Sequence, residues 1–337
     1  MKKKKKIYIS IIAVLIILVG LEFYFRMQYD TTYNSSCIYQ YDEALMFKMA
    51  SNGSYKTKDG VVNFNKYGYI GPQWEIKKDS NIYRIAVVGS CTTSGVFHIE
   101  DSISYNFPSL AQKHFDKLGY HVEIMNFGID GEKRTYYNFK TIREDVLKFN
   151  PDLIMLEYLL PFSASHYTRD CYKGYRIDYV ADLPESKKQA EEWVEKLIQY
   201  KFICKLQNNC YILKAIARNY TYRYDNSLST FLKFADKHYV VVNRDALYDY
   251  YTLTKSVEMV KELITELNKD GIRFCLFNYG YMPRHSDLPM INLNCEFKEN
   301  MYYKNDGHLN CLGQIEICNK FCEFLKRPRV IPEKYKQ

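Results

Sequence analysis

The sequence predicts an α/β protein built on a parallel β-sheet with helices on both faces. Short β-branched apolar runs alternate with helical segments, and the connections between them are short. This order is typical of parallel strands that are joined by crossover helices. The 337 residues suffice for one large domain, and no internal repeat or low-complexity linker divides them.

The first predicted elements follow one another as strand, helix, strand, helix and strand. They cover residues 84–88, 104–118, 120–128, 140–149 and 151–160. Gly89 ends the first strand, and Gly119 is a good C-terminal cap for the first helix. An aromatic segment rich in turn residues precedes these elements as a lead-in over residues 30–82.

The strand and helix rhythm changes after the third strand and returns later in the chain. Residues 161–250 predict a mainly helical insertion, in which Ser186 and Gln189 form a capping-box pattern at a helix start. Near Thr254 the α/β rhythm resumes, and a further strand and a last helix follow. We therefore expect one α/β domain over residues 83–330 that contains the insertion.

The N-terminus predicts a membrane anchor. Five lysines, residues 2–6, precede an apolar run over residues 7–25 that spans roughly 28 Å as a helix, close to the thickness of a bilayer core. Basic residues favour the cytoplasmic side, so residues 1–6 are expected inside the cell and the domain outside it. A cleaved signal peptide is the alternative, but no small-x-small cleavage site follows the run.

Charge and motif content argue against several classes of function. The formal net charge is +8, and the lysine tail supplies five charges, which leaves 8 − 5 = +3 for the rest of the chain. Nucleic-acid binding is therefore not expected. The ten cysteines and seven histidines show no metal-ligand spacing, and nucleotide-binding glycine motifs are missing, so we expect no metal and no cofactor.

Three predicted loops carry residues suited to acyl transfer, and two of them follow strands. Such chemistry needs a nucleophile, a base, a carboxylate that orients the base, and backbone donors for an oxyanion. Cys91 or Ser90 fits the nucleophile, His308 the base and Asp306 the carboxylate, while the amides of Cys91 and Gly131 fit the donors. Taken singly, each loop is better explained as an ordinary turn or helix cap, whereas the three loops together at this spacing favour a site.

The combination resembles a known family. The stretches "RIAVVGSCTTSG", "MNFGIDG" and "KNDGHLNCLG" are similar to blocks I, II and V of the SGNH (GDSL-type) hydrolase superfamily, especially its membrane-anchored bacterial members. The resemblance covers roughly residues 55–158 and 250–326. It implies a three-layer, flavodoxin-like parallel sheet with helices on both faces.

The resemblance also implies roles for single residues. The family's nucleophile position falls on Cys91, its Asp/His pair on Asp306 and His308, and its block II glycine on Gly131. Two departures are evident: cysteine replaces serine, and the block III asparagine is missing where Pro161 stands. Ser163 and Ser165 are candidate replacements for that oxyanion donor, and Ser90 stays the alternative nucleophile.

Two functions are compatible with the motifs and the composition. The first is an extracytoplasmic, membrane-anchored acyl-ester hydrolase or O-acyltransferase that acts on acetyl groups of a cell-surface or secreted glycan, with a membrane-bound acyl-transfer partner. The second is a catalytically inactive relative that binds glycan or a protein partner in surface polysaccharide assembly. The 33 tyrosines and 19 phenylalanines fit stacking on sugar rings, although an AT-rich coding bias gives the same composition.

Overall fold

The computed structural model describes most of the chain in thirteen stretches. These are residues 2–28, 39–42, 45–56, 61–95, 99–100, 103–129, 135–158, 167–180, 184–235, 239–241, 253–280, 288–303 and 308–336. The strands in them are β1 (Tyr39–Asp42), β2 (Met46–Met49), β3 (Ser54–Lys56), β4 (Val61–Asn63), β5 (Tyr83–Gly89), β6 (Ile99–Glu100), β7 (Ile103–Ser104), β8 (Val122–Gly128), β9 (Leu153–Glu157), β10 (Tyr167–Tyr172), β11 (Tyr175–Val180), β12 (Tyr239–Val241), β13 (Arg273–Asn278) and β14 (Met290–Asn292). The α-helices are α1 (Lys2–Gln28), α2 (Cys91–Ser94), α3 (Phe107–Lys117), α4 (Thr135–Glu144), α5 (Pro184–Gln199), α6 (Lys201–Asn209), α7 (Tyr211–Arg223), α8 (Ser227–Ala235), α9 (Leu253–Lys269) and α10 (Cys311–Leu325).

A five-stranded sheet with the order β14-β13-β9-β5-β8 forms the centre of the fold. All of its neighbouring strands are parallel. Counted along the chain, this is the 2-1-3-4-5 order of flavodoxin-like sheets. Every residue of β5 and of β9 is buried, as expected for parallel strands that are covered on both faces. The predicted fold class is confirmed.

Alternate residues of each strand face two separate hydrophobic clusters. On one face, Ala86 and Val88 of β5 pack with side chains of α4 and α9. On the other face, Ile85 and Val87 pack with side chains of α3 and α10. Because side chains alternate along a strand, a single apolar run of sequence supplies both layers.

The observed helix boundaries follow local capping. Helix α3 begins at Phe107 and not at Ser104, because the side chain of Asn106 accepts a hydrogen bond from the Ser109 amide at 2.9 Å and caps the first turn. The helix ends just before Gly119, whose φ of 73° only glycine adopts readily. Helix α5 begins at Pro184, so the expected capping residue Ser186 lies inside the first turn.

The insertion contains a small sheet besides its helices. Strands β10, β11 and β12 pair in that order, and α5 and α8 pack on them around Trp193 and Phe234. We expected helices here and missed the strands. The hairpin between β10 and β11 turns at Lys173 and Gly174, which have φ values of 48° and 82°, as in the tight turns that favour β-hairpins.

The lead-in segment is part of the main core. Trp74 is 1% exposed and packs against Phe127 of β8 and Phe149. The buried guanidinium of Arg84 on β5 donates hydrogen bonds to the carbonyl oxygens of Glu75 at 2.6 Å and Ile76 at 3.1 Å. This segment therefore closes one layer of the domain.

The N-terminal helix fits the expected anchor in length and composition. Its segment Tyr8–Arg26 is long and apolar enough to cross a membrane, and its apolar side chains are exposed. The structure therefore agrees with the prediction of an apolar N-terminal helix of this length.

Truncating Trp74 tests whether the lead-in stabilises the domain. We expect Trp74→Ala to lower the free energy of unfolding by about 3–5 kcal/mol, because it removes a fully buried indole. Denaturant titration of the detergent-solubilised chain measures this. The neighbouring exposed Ile76→Ala is the control and should change stability by less than about 0.5 kcal/mol. Equal effects of the two substitutions would contradict the packing of Trp74 against Phe127 and Phe149.

Candidate active site

Cys91 lies in the first turn of α2, directly after strand β5 ends. Ser90 is the N-cap, and its hydroxyl accepts a hydrogen bond from the Thr92 amide at 3.4 Å. Gly95 closes the helix with a φ of 67°, and its amide donates to the Cys91 carbonyl at 2.9 Å. The turn holds the Cys91 side chain at the carboxyl edge of the sheet, where ligands bind in open parallel sheets. The residue is 4% exposed.

The Cys91 thiol lies beside the imidazole of His308. The distance from Sγ to Nε2 is 3.4 Å, although 217 positions separate the two residues in the chain. His308 lies just before α10, and the Tyr303 amide donates to its carbonyl at 3.0 Å. The structure thus brings together the predicted nucleophile and base.

A buried glutamine fixes α10 against the helix that carries Cys91. The Gln314 side chain donates to the Thr92 carbonyl at 3.0 Å and accepts from the Phe107 amide at 2.9 Å. It therefore joins α10 to both α2 and α3. At the start of α10, the Asn310 side chain accepts from the amides of Leu312 at 2.9 Å and Gly313 at 3.3 Å. Because His308 lies just before α10, these contacts position its side chain near α2.

A buried carboxylate lies beneath the Cys91 turn. Glu157, the last residue of β9, accepts hydrogen bonds from the Ser90 amide at 2.8 Å, the Ser90 hydroxyl at 2.9 Å and the Thr93 hydroxyl at 2.5 Å. The Tyr279 hydroxyl lies 3.4 Å from the Thr93 hydroxyl. Burial raises the pKa of Glu157, and the bonds from Thr93 and Ser90 oppose that rise.

The second motif loop starts in contact with the first. The Asn126 side chain donates to the Ser94 carbonyl at 3.3 Å, and the Ile129 amide donates to the Gly89 carbonyl at 3.0 Å. A Cβ atom on Gly128 would lie 2.2 Å from the Ser94 amide nitrogen, so only glycine fits between the strand and α2. The ends of β5 and β8 therefore meet at Cys91.

Several predicted site residues lie outside the described part of the chain. Gly131 and Asp306 are among them, as are Pro161, Ser163 and Ser165 at the block III position. Their proposed roles stay predictions. Ser90 is described, and its hydroxyl is engaged by Glu157 and by the Thr92 amide.

Sequence reasoning missed Glu157, Thr93 and Gln314. Glu157 had a detectable signal, because it is the single charged residue in the apolar run "LIMLE", and charged residues are rarely fully buried without a structural or functional role. Thr93 and Gln314 had none, since polar residues in a turn and on an amphipathic helix are common.

Among the described residues, no group of three or more His, Cys, Asp or Glu side chains is placed to hold a metal ion, and no disulfide bond forms.

Burial raises the pKa of the thiols of Cys275 and Cys295 to about 12. The fraction of these two thiols that ionises near neutral pH is therefore small, and they are poor nucleophiles.

Replacing Glu157 tests its buried charge. A carboxyl group whose pKa is raised on folding stabilises the folded state below its ordinary pKa near 4.5, and this contribution is lost as pH rises through the raised pKa. We therefore expect the difference in melting temperature, native chain minus Glu157→Gln, to decrease as the pH rises from about 4.5 through the raised pKa of Glu157. The exposed Glu262→Gln is the control. A constant difference between Glu157→Gln and the native chain would contradict the prediction.

No family model and no curated protein matches the sequence. The chain is similar to several solved structures. One is a lipolytic protein of the G-D-S-L family from Desulfitobacterium hafniense, with 8% identity, a TM-score of 0.36, and coverage of 71% of this chain and 98% of that one. Another is the lipase/acylhydrolase from Enterococcus faecalis, with 14% identity, a TM-score of 0.31, and coverage of 73% and 96%. A GDSL-like lipase from Bacteroides thetaiotaomicron has 12% identity, a TM-score of 0.28, and coverage of 75% and 92%.

Three features of the structure agree with the family resemblance of the sequence motifs. The sheet order is flavodoxin-like, the block I turn begins a helix at the carboxyl edge, and the block V histidine meets the residue at the nucleophile position. The chain therefore has a flavodoxin-like α/β fold with a thiol and an imidazole in contact at the carboxyl edge of its sheet.

Proposed function

We propose that the chain is an SGNH-type acyl-ester hydrolase or O-acyltransferase in which Cys91 is the nucleophile. The observation that carries this proposal is the 3.4 Å distance between Cys91 Sγ and His308 Nε2 at the carboxyl edge of the sheet. A nucleophile and base within hydrogen-bond reach are the arrangement that acyl transfer requires. Ser90 is a poorer candidate, because its hydroxyl donates to Glu157.

The proposed reaction proceeds through a thioester. His308 Nε2 takes the thiol proton while Sγ attacks the acyl carbon, and the amides of Cys91 and Gly131 bind the oxyanion. His308 then gives the proton to the leaving alcohol oxygen, which releases the alcohol. Water or a sugar hydroxyl next loses a proton to His308 and attacks the thioester, the acyl product leaves, and the thiol regains the proton.

The proposal gives Asp306 an orienting role. For Nε2 to accept the thiol proton, the proton of the neutral ring must be on Nδ1. A carboxylate that accepts a hydrogen bond from Nδ1 favours this tautomer and stabilises the imidazolium that forms. Asp306 lies two positions before His308 in the motif and suits this part.

We propose acetyl groups on a cell-surface or secreted glycan as the substrate. Support comes from the outward orientation that the lysine tail favours and from the aromatic-rich composition. A sugar hydroxyl as acceptor makes the protein an O-acyltransferase, for which a membrane-bound protein that delivers acyl groups is the proposed partner. Water as acceptor makes it an esterase.

Substitutions at the catalytic pair test the chemistry. The detergent-solubilised chain should release acetate from an aryl acetate or an acetylated glycan. We expect Cys91→Ala and His308→Ala each to lower kcat/KM by about 10²-fold or more, and to a similar degree, because members of one catalytic unit are not additive. Cys91→Ser should keep part of the activity, since serine is the usual nucleophile of the family that the motifs resemble.

The control is Cys204→Ala, which removes a thiol that packs in the insertion, and it should leave kcat/KM unchanged. The alternative function predicts another outcome. A binding protein of surface polysaccharide assembly would show no ester turnover with either acceptor, while Cys91→Ala would bind the glycan as the native chain does. The substituted nucleophile and the missing block III asparagine favour this alternative, and the Cys91–His308 contact opposes it.

Protease accessibility tests the proposed orientation. Protease added to intact cells whose outer surface is exposed should degrade the domain after Arg26, because the lysines before the apolar helix favour retention of the N-terminus in the cytoplasm. Immunoblotting follows the loss, and a cytoplasmic marker protein should stay intact. Full protection of the domain until the cells are lysed would overturn the orientation.

A further inference from the structure

The helices of the insertion expose a large set of apolar side chains. Phe202 on α6 is 77% exposed, and Ile216 and Tyr222 on α7 are 59% and 91% exposed. Ile203 and Leu206 on α6, Tyr224 after α7 and Leu228 on α8 are each about half exposed. We call these seven side chains the apolar face. Monomeric soluble proteins seldom expose so many large apolar side chains on neighbouring elements, and such surfaces mark contacts with proteins or membranes.

The N-terminal helix is attached to this part of the insertion. The carboxylate of Glu22 on α1 accepts hydrogen bonds at 3.1 Å from the amides of Tyr211 and Ile212, the first residues of α7. The Arg26 side chain donates to Glu22 at 3.1 Å and lies over the Tyr211 ring. An acidic residue in an otherwise apolar span is costly in lipid, so its position as a cap on α7 indicates where the span ends.

Helix α7 begins beside the end of α1. Glu22 and Phe25 lie within one turn of α1, a rise of about 5 Å. Glu22 contacts Tyr211, whereas Phe25 lines a groove of about 440 Å³ with residues that extend to Tyr222. The start of α7 and the groove along it therefore lie next to the last turns of α1. An α1 that spans the membrane thus places the start of α7 at the membrane surface.

The charge of this region suits an anionic lipid surface. Residues 201–235 contain six basic side chains and one acidic side chain. They are Lys201, Lys205, Lys214, Arg218, Arg223 and Lys233, against Asp225. Helices that lie in the membrane interface combine apolar side chains with lysine and arginine in this way, and each basic residue near an anionic surface adds attraction.

We infer that α6, α7 and the start of α8 form a platform that lies in the headgroup region of the bilayer beside the anchor, with the apolar face inserted. The inference rests on the proposed anchor. Lipid suits the apolar face better than a second copy of the chain does, because two copies of a region with this excess of basic side chains repel each other. The platform would restrict how the domain turns relative to the membrane.

Quenching by brominated lipids tests the platform. The full-length chain is reconstituted into vesicles of phosphatidylcholine and phosphatidylglycerol with brominated acyl chains, and single tryptophan reporters are placed on the apolar face as Phe202→Trp and Tyr222→Trp. We expect each reporter to lose emission by about twofold or more relative to unbrominated vesicles, since interfacial helices bury their apolar side about 5–10 Å deep. The unsubstituted chain supplies the background of the buried Trp74 and Trp193.

Two further reporters separate the possible outcomes. Ile76→Trp, at an exposed position on the lead-in, is the matched control and should not be quenched. Ile16→Trp, within the apolar span, reports on the anchor. Quenching at Ile16→Trp without quenching at either platform reporter would overturn the platform and leave the anchor in place, with a protein surface such as a second copy covering the apolar face. A lack of quenching at Ile16→Trp would overturn the anchor itself.

Discussion

The hydrogen bonds of the Glu157 carboxylate hold the candidate site together. Glu157 ends the middle strand of the sheet, and it binds the Ser90 amide and the hydroxyls of Ser90 and Thr93. A buried carboxyl group without such partners costs several kcal/mol, so the turn after β5 is strongly constrained. A Cβ atom on Gly89 would lie 2.2 Å from Glu157 Oε2, which explains the glycine at this position. The orientation of Cys91 follows from these contacts.

The site is assembled from segments that are far apart in sequence. Parallel strands end at the same edge of a sheet, so the loops after β5 and β8 meet there without any local signal between them. Gln314 adds α10 to this edge through its contact with the Thr92 carbonyl, and His308 precedes that helix. The strand order places Cys91 at this edge, and the contact of Gln314 with the Thr92 carbonyl holds α10, and with it His308, beside Cys91.

The anchor and the insertion form a second structural unit with a different physical basis. Glu22 places a carboxylate within an apolar helix, and by sequence alone such a charge is unfavourable in a membrane span. In the structure it caps α7, where its charge meets the positive end of a helix dipole. The same contact fixes the insertion to the end of the anchor, and it gives the exposed apolar side chains of α6 and α7 a place beside the membrane in the platform that we propose.

The sequence alone determined the local features of the protein. Apolar β-branched runs gave the strands β5, β8, β9 and β13, because side-chain alternation and turn residues are properties of short segments. Motif order also selected Cys91 and His308. The tertiary structure decided which distant groups meet. Ser90 and Glu157 are 67 positions apart, and their contact depends on β9 lying next to β5, which no local pattern encodes. Strands β10 to β12 were missed for a related reason, since their stability comes from packing under α5 and α8.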